Sequence, residues 1–270
     1  LNIVDRKNSR VSKFSMFNDD GGFNTDGLRN LLAEEAKQHS KVMLILCFPN
    51  NPTGYTPMPE EAREIVEIVK SQAESGTKIV TVSDDAYFGL FYEESYKESL
   101  FTEFCNLHEN VIAVKADGAT KESYVWGFRT GFITFGIKSN QSGELYSILE
   151  NKVLGIIRST LSSCSHPAQT IIEKILEDPD YWSQLEEKYV IMEGRARRIK
   201  ELLERNKYSD VWEYYPFNSG YFMCLKLLQV NANDLRNYLL DEYGIGTISI
   251  GDTDLRIAFS CIEEGQLEEL

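Results

Sequence analysis

Three short segments of this chain combine residue types that do chemistry together. Asn50-Asn51-Pro52-Thr53-Gly54 puts side-chain amides on a run of turn-forming residues, and taken alone it reads as a turn. Ser83-Asp84-Asp85-Ala86-Tyr87 offers a carboxylate and, three residues on, a phenol. Asp117-Gly118-Ala119-Thr120-Lys121 sets an amine among small residues, where it can approach a ligand closely, and the guanidinium of Arg129 follows eight residues later in Trp126-Gly127-Phe128-Arg129. Each has an ordinary alternative: a loop aspartate is commonly solvated, and the chain has 28 lysines and arginines that could all be surface charges. The order carries more weight than any one segment. It supplies an amide, then a carboxylate with a phenol, then an amine with a guanidinium.

Each segment directly follows an apolar run of the kind that forms a buried strand. The runs are VMLILCF from Val42, KIVTVS from Lys78 and VIAVK from Val111, all rich in β-branched residues. Between them lie helical periods. One follows Thr25 (DGLRNLLAEEAK), and another has Pro59 and Glu60 in its first turn with Ala62, Ile65, Val66 and Val69 on one face, as expected for proline at a helix start. Strand, helix, strand in short units predicts an α/β fold with a mainly parallel sheet. Ligands gather at the carboxyl ends of such strands, which directs attention to the loops after residues 48, 83 and 115.

The second half changes character. An apolar stripe from Trp182 through Leu185, Tyr189, Met192, Ala196, Ile199 and Leu203 predicts one long amphipathic helix of about six turns. A strand-like run at Tyr221–Leu225, a helix near NDLRNYLLDEYG and strands at GTISIG and DLRIAFS follow. The boundaries expected are a part of a large domain over 1–180 and a smaller α+β domain over 181–270 that includes the long helix. Trp126, Trp182 and Trp212 are expected to pack. Asn218-Ser219-Gly220-Tyr221 reads either as a pocket lining or as a turn before a strand, and His166 either as a residue approaching the site or, the commoner role, as part of a helix-start loop.

Taken together, Asn51-Pro52-Thr53-Gly54, Asp84-Asp85-Ala86-Tyr87, Lys121 with Arg129, and Arg256 in Asp254-Leu255-Arg256-Ile257 resemble the ordered motifs of the class I/II aminotransferases, pyridoxal-phosphate enzymes of fold type I. The resemblance covers most of the chain. It implies the fold type I large domain, with its parallel sheet, followed by a smaller C-terminal domain. It also implies that Lys121 forms the Schiff base with pyridoxal 5'-phosphate and shuttles a proton, and that Asp84 faces the pyridine nitrogen and keeps the ring an electron sink. Tyr87 and Asn51 would hydrogen-bond the ring oxygen. Arg129, with Thr120, would hold the phosphate, and Arg256 the substrate α-carboxylate, both tasks suited to a planar guanidinium. The partners implied are an L-amino acid, a 2-oxo acid and a second subunit in a homodimer. Departures from the pattern are Gly118 where many members have serine, a bulky Tyr124 where the residue is usually small, and Thr130 where it is usually aliphatic. The glycine- and serine-rich phosphate turn and the ring-stacking aromatic residue should lie upstream of the Asn51 loop by more residues than this chain has.

Composition removes other classes. With 28 basic against 42 acidic residues the net charge is −14, the wrong sign for a surface that binds nucleic acid through phosphates. Five scattered cysteines with no CxxC pair point to reducing cytosol, with neither a disulfide framework nor a metal site. No apolar run approaches the roughly 20 residues that span a bilayer. Two rival functions share the fold: a carbon–sulfur lyase using the same cofactor and lysine, and a regulatory domain that binds the cofactor without turnover. The ends, an uncapped start and a C-terminal EEGQLEEL that reads as the opening of a helix, lead to the expectation of a fragment that exposes apolar surface and binds the cofactor poorly by itself.

Overall fold

The computed structural model describes residues 10–205 and 207–268. The first sheet has the order β1-β2-β3-β4, where β1 is Lys41–Cys47, β2 Lys78–Asp84, β3 Val111–Asp117 and β4 Phe132–Ile137. The first three strands run parallel, and β4 is antiparallel to β3. Their register pairs Cys47 with Asp84 and Asp84 with Ala116. All three parallel strands therefore end at one level, and their following loops share a single edge of the sheet.

Local chemistry accounts for the helices packed on this sheet. In α1 (Thr25–Gln38) the Asn24 side chain accepts from the Gly27 N–H at 2.8 Å, which caps the start, and Leu28 and Leu32, four apart, face inward. Helix α2 (Pro59–Glu74) begins with proline, whose missing N–H costs nothing there, and buries the predicted face of Ala62, Ile65, Val66 and Val69. Burying a side chain such as Ile65 completely contributes about 1.5–3 kcal/mol. Glu61, one turn in, accepts from the Met58 N–H, the Tyr55 hydroxyl and the Phe23 N–H, at 2.7–2.8 Å. One carboxylate thus joins the helix start to the strand-end loop and to the entry of α1.

Two one-turn helices, α3 (Leu100–Phe104) and α4 (Ala119–Glu122), flank β3. Beyond β4 come α5 (Ser142–Thr160), α6 (His166–Glu177) and the long α7 (Tyr181–Glu204). Ser165 caps α6 by accepting from the Ala168 N–H, so His166 is the first residue of that helix. Helix α7 buries Met192, Ala196, Ile199 and Leu203 of the expected stripe. Trp182 and Trp126, expected to pack, are both 72% exposed, whereas Trp212 packs against the core. The stripe fails at Trp182 because the neighbouring Tyr181 turns inward instead.

The second sheet, order β5-β6-β8-β7, is antiparallel, with β5 at Trp212–Tyr214, β6 at Met223–Leu227, β7 at Ile248–Ile250 and β8 at Asp254–Ile257. Helix α8 (Ala232–Tyr243) connects β6 to β7, capped by Asn231 at its start and by Gly244 in the left-handed conformation at its end. Residues 264–266 form a 3-10 turn. Tyr87 and Leu90, from the loop after β2, are buried in the same core cluster as α7 and the second sheet.

The two sheets are locked at the loop after β1. The Gly54 carbonyl accepts from the N–H groups of Asn218 and Ser219 at 3.0 and 2.9 Å. The Asn218 side chain accepts from the Thr56 N–H and donates to the Thr56 carbonyl, both at 2.9 Å. Gly54 has φ +77, and a Cβ placed there would stand 2.1 Å from the Phe222 carbonyl oxygen. Only glycine fits. Gly54→Ala is expected to lower stability by at least the 1–2 kcal/mol or so of a left-handed L-residue, with the clash in addition. Denaturant unfolding at equilibrium measures this, and an unchanged midpoint would mean that the junction contributes nothing to the fold.

Candidate active site

Lys121 lies on α4, the single turn that follows β3, with its carbonyl facing the second sheet. The carbonyl accepts from the Tyr124 N–H at 3.2 Å and from the Tyr221 hydroxyl at 3.1 Å. Its amine rests over two aromatic faces, 5.1 Å from the Tyr221 ring centroid and 5.7 Å from that of Tyr87. Those rings meet edge to face at 5.7 Å. Burial lowers the pKa of the Lys121 amine, and the positive charges of Arg129 and Arg256 lower it further against an opposing effect of Cys261. Loss of hydration disfavours the charged form, and two neighbouring cations do the same.

The other strand-end residues approach this amine in different ways. Arg256, on β8, donates to the Asn51 side-chain oxygen at 2.7 Å and lies over the Phe222 ring with its guanidinium carbon 4.2 Å from the centroid. The Asn51 amide in turn donates to the Tyr87 hydroxyl at 3.5 Å. Asn51, Tyr87 and Arg256, 205 residues apart at the extremes, therefore form one polar chain beside Lys121. Burial raises the pKa of the Tyr87 phenol, which stays neutral.

Asp84 and Asp85 divide their tasks by strand alternation. Asp85 is 5% exposed, accepts from the Ser99 hydroxyl of the α3 cap and lies 3.9 Å from Lys115. Its pKa is raised, mainly by burial. Asp84, on the opposite side of the chain, accepts only from the Ala86 N–H at 3.3 Å among the described hydrogen bonds. The thiol of Cys47, its register partner, is pushed up to about 12 by burial and by the Asp84 charge. Asp84 thus keeps bonding capacity at the strand ends, as does the Asp117 Oδ1, which is buried without a hydrogen-bond partner.

Thr120 and Arg129 are less constrained. Thr120 is half-buried on α4, and Arg129 is exposed with φ 53 in the left-handed region. Gly118 has no room for a larger side chain, since a Cβ there would meet the Thr130 carbonyl oxygen at 2.6 Å and the Gly131 Cα at 2.8 Å. The backbone at Thr130-Gly131 occupies the space that a serine side chain at 118 would need. Tyr221 is the principal contributor that sequence reasoning left open. Its segment was visible as Asn218-Ser219-Gly220-Tyr221, but nothing in it indicates that the ring ends under Lys121.

A lysine amine kept from full hydration, a carboxylate at the neighbouring strand end and two guanidiniums for anionic groups make a site for carbonyl and amine chemistry on a doubly charged or carboxylated ligand. The chain belongs to the class I and II aminotransferase family, whose model matches residues 3–270. It is 26% identical over 256 residues to an aspartate aminotransferase of Sulfurisphaera tokodaii, covering 92% of this chain and 58% of that one. It is 26% identical over 212 residues to a histidinol-phosphate aminotransferase of Caldanaerobacter subterraneus, covering 78% and 49%. A solved aminotransferase from Anaerococcus prevotii superposes with a TM-score of 0.86 at 25% identity, over 99% of this chain and 64% of the other. LysN, an alpha-aminoadipate aminotransferase from Thermus thermophilus solved with N-(5'-phosphopyridoxyl)-L-leucine, shares the fold with a TM-score of 0.73 at 19% identity. The chain spans about half to two thirds of the length of these relatives.

The lowered pKa of Lys121 has a consequence for stability. The unfolded chain, with an ordinary lysine near 10.4, holds that proton more tightly than the folded one does. Folding therefore carries a penalty below the lowered value, and the penalty fades as pH rises through the window up to the ordinary lysine range. Lys121→Met is expected to melt above the parent at pH 7, with the gap closing toward pH 10 or so. Thermal melts across that range decide it, and a gap independent of pH would contradict the desolvation of Lys121.

Proposed function

We propose that this chain carries most of the active site of a pyridoxal-phosphate aminotransferase that moves an amino group between an L-amino acid and a 2-oxo acid. One observation carries the proposal: a lysine amine with a lowered pKa lies over two aromatic rings at the edge where Asp84, Asn51 and Arg256 also arrive. The donor set fits the cofactor group by group. Asp84 has an oxygen to spare for a ring nitrogen, Asn51 and Tyr87 offer an amide and a phenol for the ring oxygen, Lys121 offers an amine for the aldehyde, and Arg129 with Thr120 offers cation and hydroxyl for the phosphate. When bound, pyridoxal phosphate supplies an aldehyde that takes up the amino group and a ring that accepts the electrons left at the substrate Cα.

The chain's own residues do the rest. The Lys121 amine, neutral in a larger fraction than a solvated lysine, removes and returns the proton at the substrate Cα through Nζ. Arg256 turns its guanidinium from Asn51 to the substrate α-carboxylate, a bidentate partner that offers two oxygens instead of one. The Asn51 amide remains oriented by Tyr87 during that exchange. The Asp84 carboxylate holds positive charge at the ring nitrogen. Cytoplasmic placement and homodimer formation belong to the same reading. Large apolar side chains exposed on the edge strand β1 (Met43 63%, Ile45 57%) and on α5 (Leu154 56%, Ile156 60%) support association with further polypeptide. The division into a large domain over 1–180 and a smaller one over 181–270 is supported by the two separate sheets.

Borohydride reduction of the intact protein in the presence of the cofactor is expected to fix it on the peptide that contains Lys121, as read by mass spectrometry. Attachment at Lys115, whose amine is engaged by Asp117 at 2.6 Å, would overturn the assignment. Arg256→Leu is expected to lower kcat/KM by a factor equivalent to about 2–5 kcal/mol while the cofactor still binds. Normal turnover by that variant would show that another cation holds the carboxylate.

A further inference from the structure

Tyr124 is a bulky residue at φ 54, a conformation that such side chains rarely adopt. The strain is stored one turn after Lys121, and strain at such places is held in position by the surroundings. Here it aims the Tyr124 ring at Tyr221: the two stack with centroids 6.2 Å apart and planes 29° from parallel. The Tyr221 ring also meets the Tyr87 ring edge to face, and the Lys121 amine lies over both. The Tyr221 hydroxyl holds the Lys121 carbonyl at 3.1 Å. Tyr221 is itself fixed, because Gly220 donates to the Leu90 carbonyl at 2.8 Å and Ser219 is hydrogen-bonded to Thr56 and Gly54. The second sheet thereby reaches the backbone of Lys121 through one phenol.

We propose that Tyr221 is a positioning residue for Lys121: its hydroxyl anchors the lysine carbonyl and its ring, backed by the left-handed Tyr124, fixes where the amine rests. The inference rests on the reading of Lys121 as the reacting amine. Without the anchor, the short α4 turn is free to carry the side chain away from the rings and toward water. The charged and titratable groups acting on the amine are Arg129 after α4, Arg256 on β8, Cys261 after β8, Tyr87 after β2 and Tyr221 itself. In the anchored position, burial and the two arginines favour the neutral amine, and a swing toward water reverses the first of these.

The test uses the unloaded full chain and needs no turnover. Lys121 is acylated with a trace of labelled acetic anhydride over a pH series, and the extent at its peptide is read by mass spectrometry, with Lys115 in the same digest as an internal comparison. Tyr221→Phe keeps the ring and removes only the hydroxyl. The expected result is a Lys121 midpoint that rises toward the ordinary lysine value, with the Lys115 profile and the melting temperature nearly unchanged. Tyr124→Gly removes the backing ring and is expected to raise the Lys121 midpoint as well, with a lower melting temperature because the lost packing of the ring exceeds the left-handed strain relieved. An unmoved Lys121 midpoint in a folded Tyr221→Phe chain would overturn the proposal, as would equal shifts at Lys115 and Lys121, which mark a general loosening. Failure of cofactor trapping at Lys121 is a separate result: it removes the aminotransferase reading and leaves the positioning measured here intact.

Discussion

The junction between residues 54–56 and 218–220 is the constraint on which the remaining geometry depends. Three donors converge on the Gly54 carbonyl, the two N–H groups and the Ser219 hydroxyl, and the Asn218 side chain satisfies both polar groups of the Thr56 backbone. These groups are buried, and leaving any of them unpaired costs about 1–3 kcal/mol. The junction therefore forms with all its bonds or is replaced by a different packing. It fixes the end of β1 against the start of β6, and so places Asn51 near Arg256 and Tyr221 near Lys121. Neither pair shares an element or a sheet.

Strand register supplies the second level of order. Cys47, Asp84 and Ala116 stand side by side in parallel strands, so the loops that follow share one edge without any dedicated contact between them. The alternation of side chains then separates the two adjacent carboxylates. Asp85 turns to the α3 side, where Ser99 and Lys115 take it up, and Asp84 turns to the side of Cys47. A one-residue slip of β2 would exchange them. Lys115 serves as counter-ion to both Asp85 and Asp117, whereas Lys121 has no carboxylate at salt-bridge distance among the described residues. The opposite pKa shifts of these two lysines, six residues apart, are thus a matter of charge pairing and burial.

The departures from the usual family pattern have local physical causes. Gly118 is enforced by the close approach of Thr130 and Gly131, so a hydroxyl at that position is excluded by packing. Tyr124 takes a left-handed backbone that only glycine would adopt freely, and the cost is offset by a ring stacked on Tyr221 inside a cluster of tyrosines. The exposed apolar side chains of β1 and α5 belong to faces that a parallel sheet normally keeps covered.

Much of this was determined by the sequence itself. The β-branched runs, the proline at the start of α2 and the stripe of α7 are local patterns, and they fix the type and approximate limits of each element because periodicity and capping act over a few residues. The order of amide, carboxylate, phenol, amine and guanidinium at strand ends follows from the same patterns, since consecutive parallel strands must end on one edge. The tertiary structure decided what depends on contacts between distant residues. That Asp84 and not Asp85 keeps bonding capacity rests on which face α3 covers, and the engagement of Arg256 by Asn51 rests on the junction between the sheets. The Tyr221 ring beneath the Lys121 amine, and the exposure of Trp126 and Trp182, likewise follow from packing between elements far apart in the chain. A one-dimensional pattern specifies which side of an element is apolar; only the assembled fold specifies what stands opposite it.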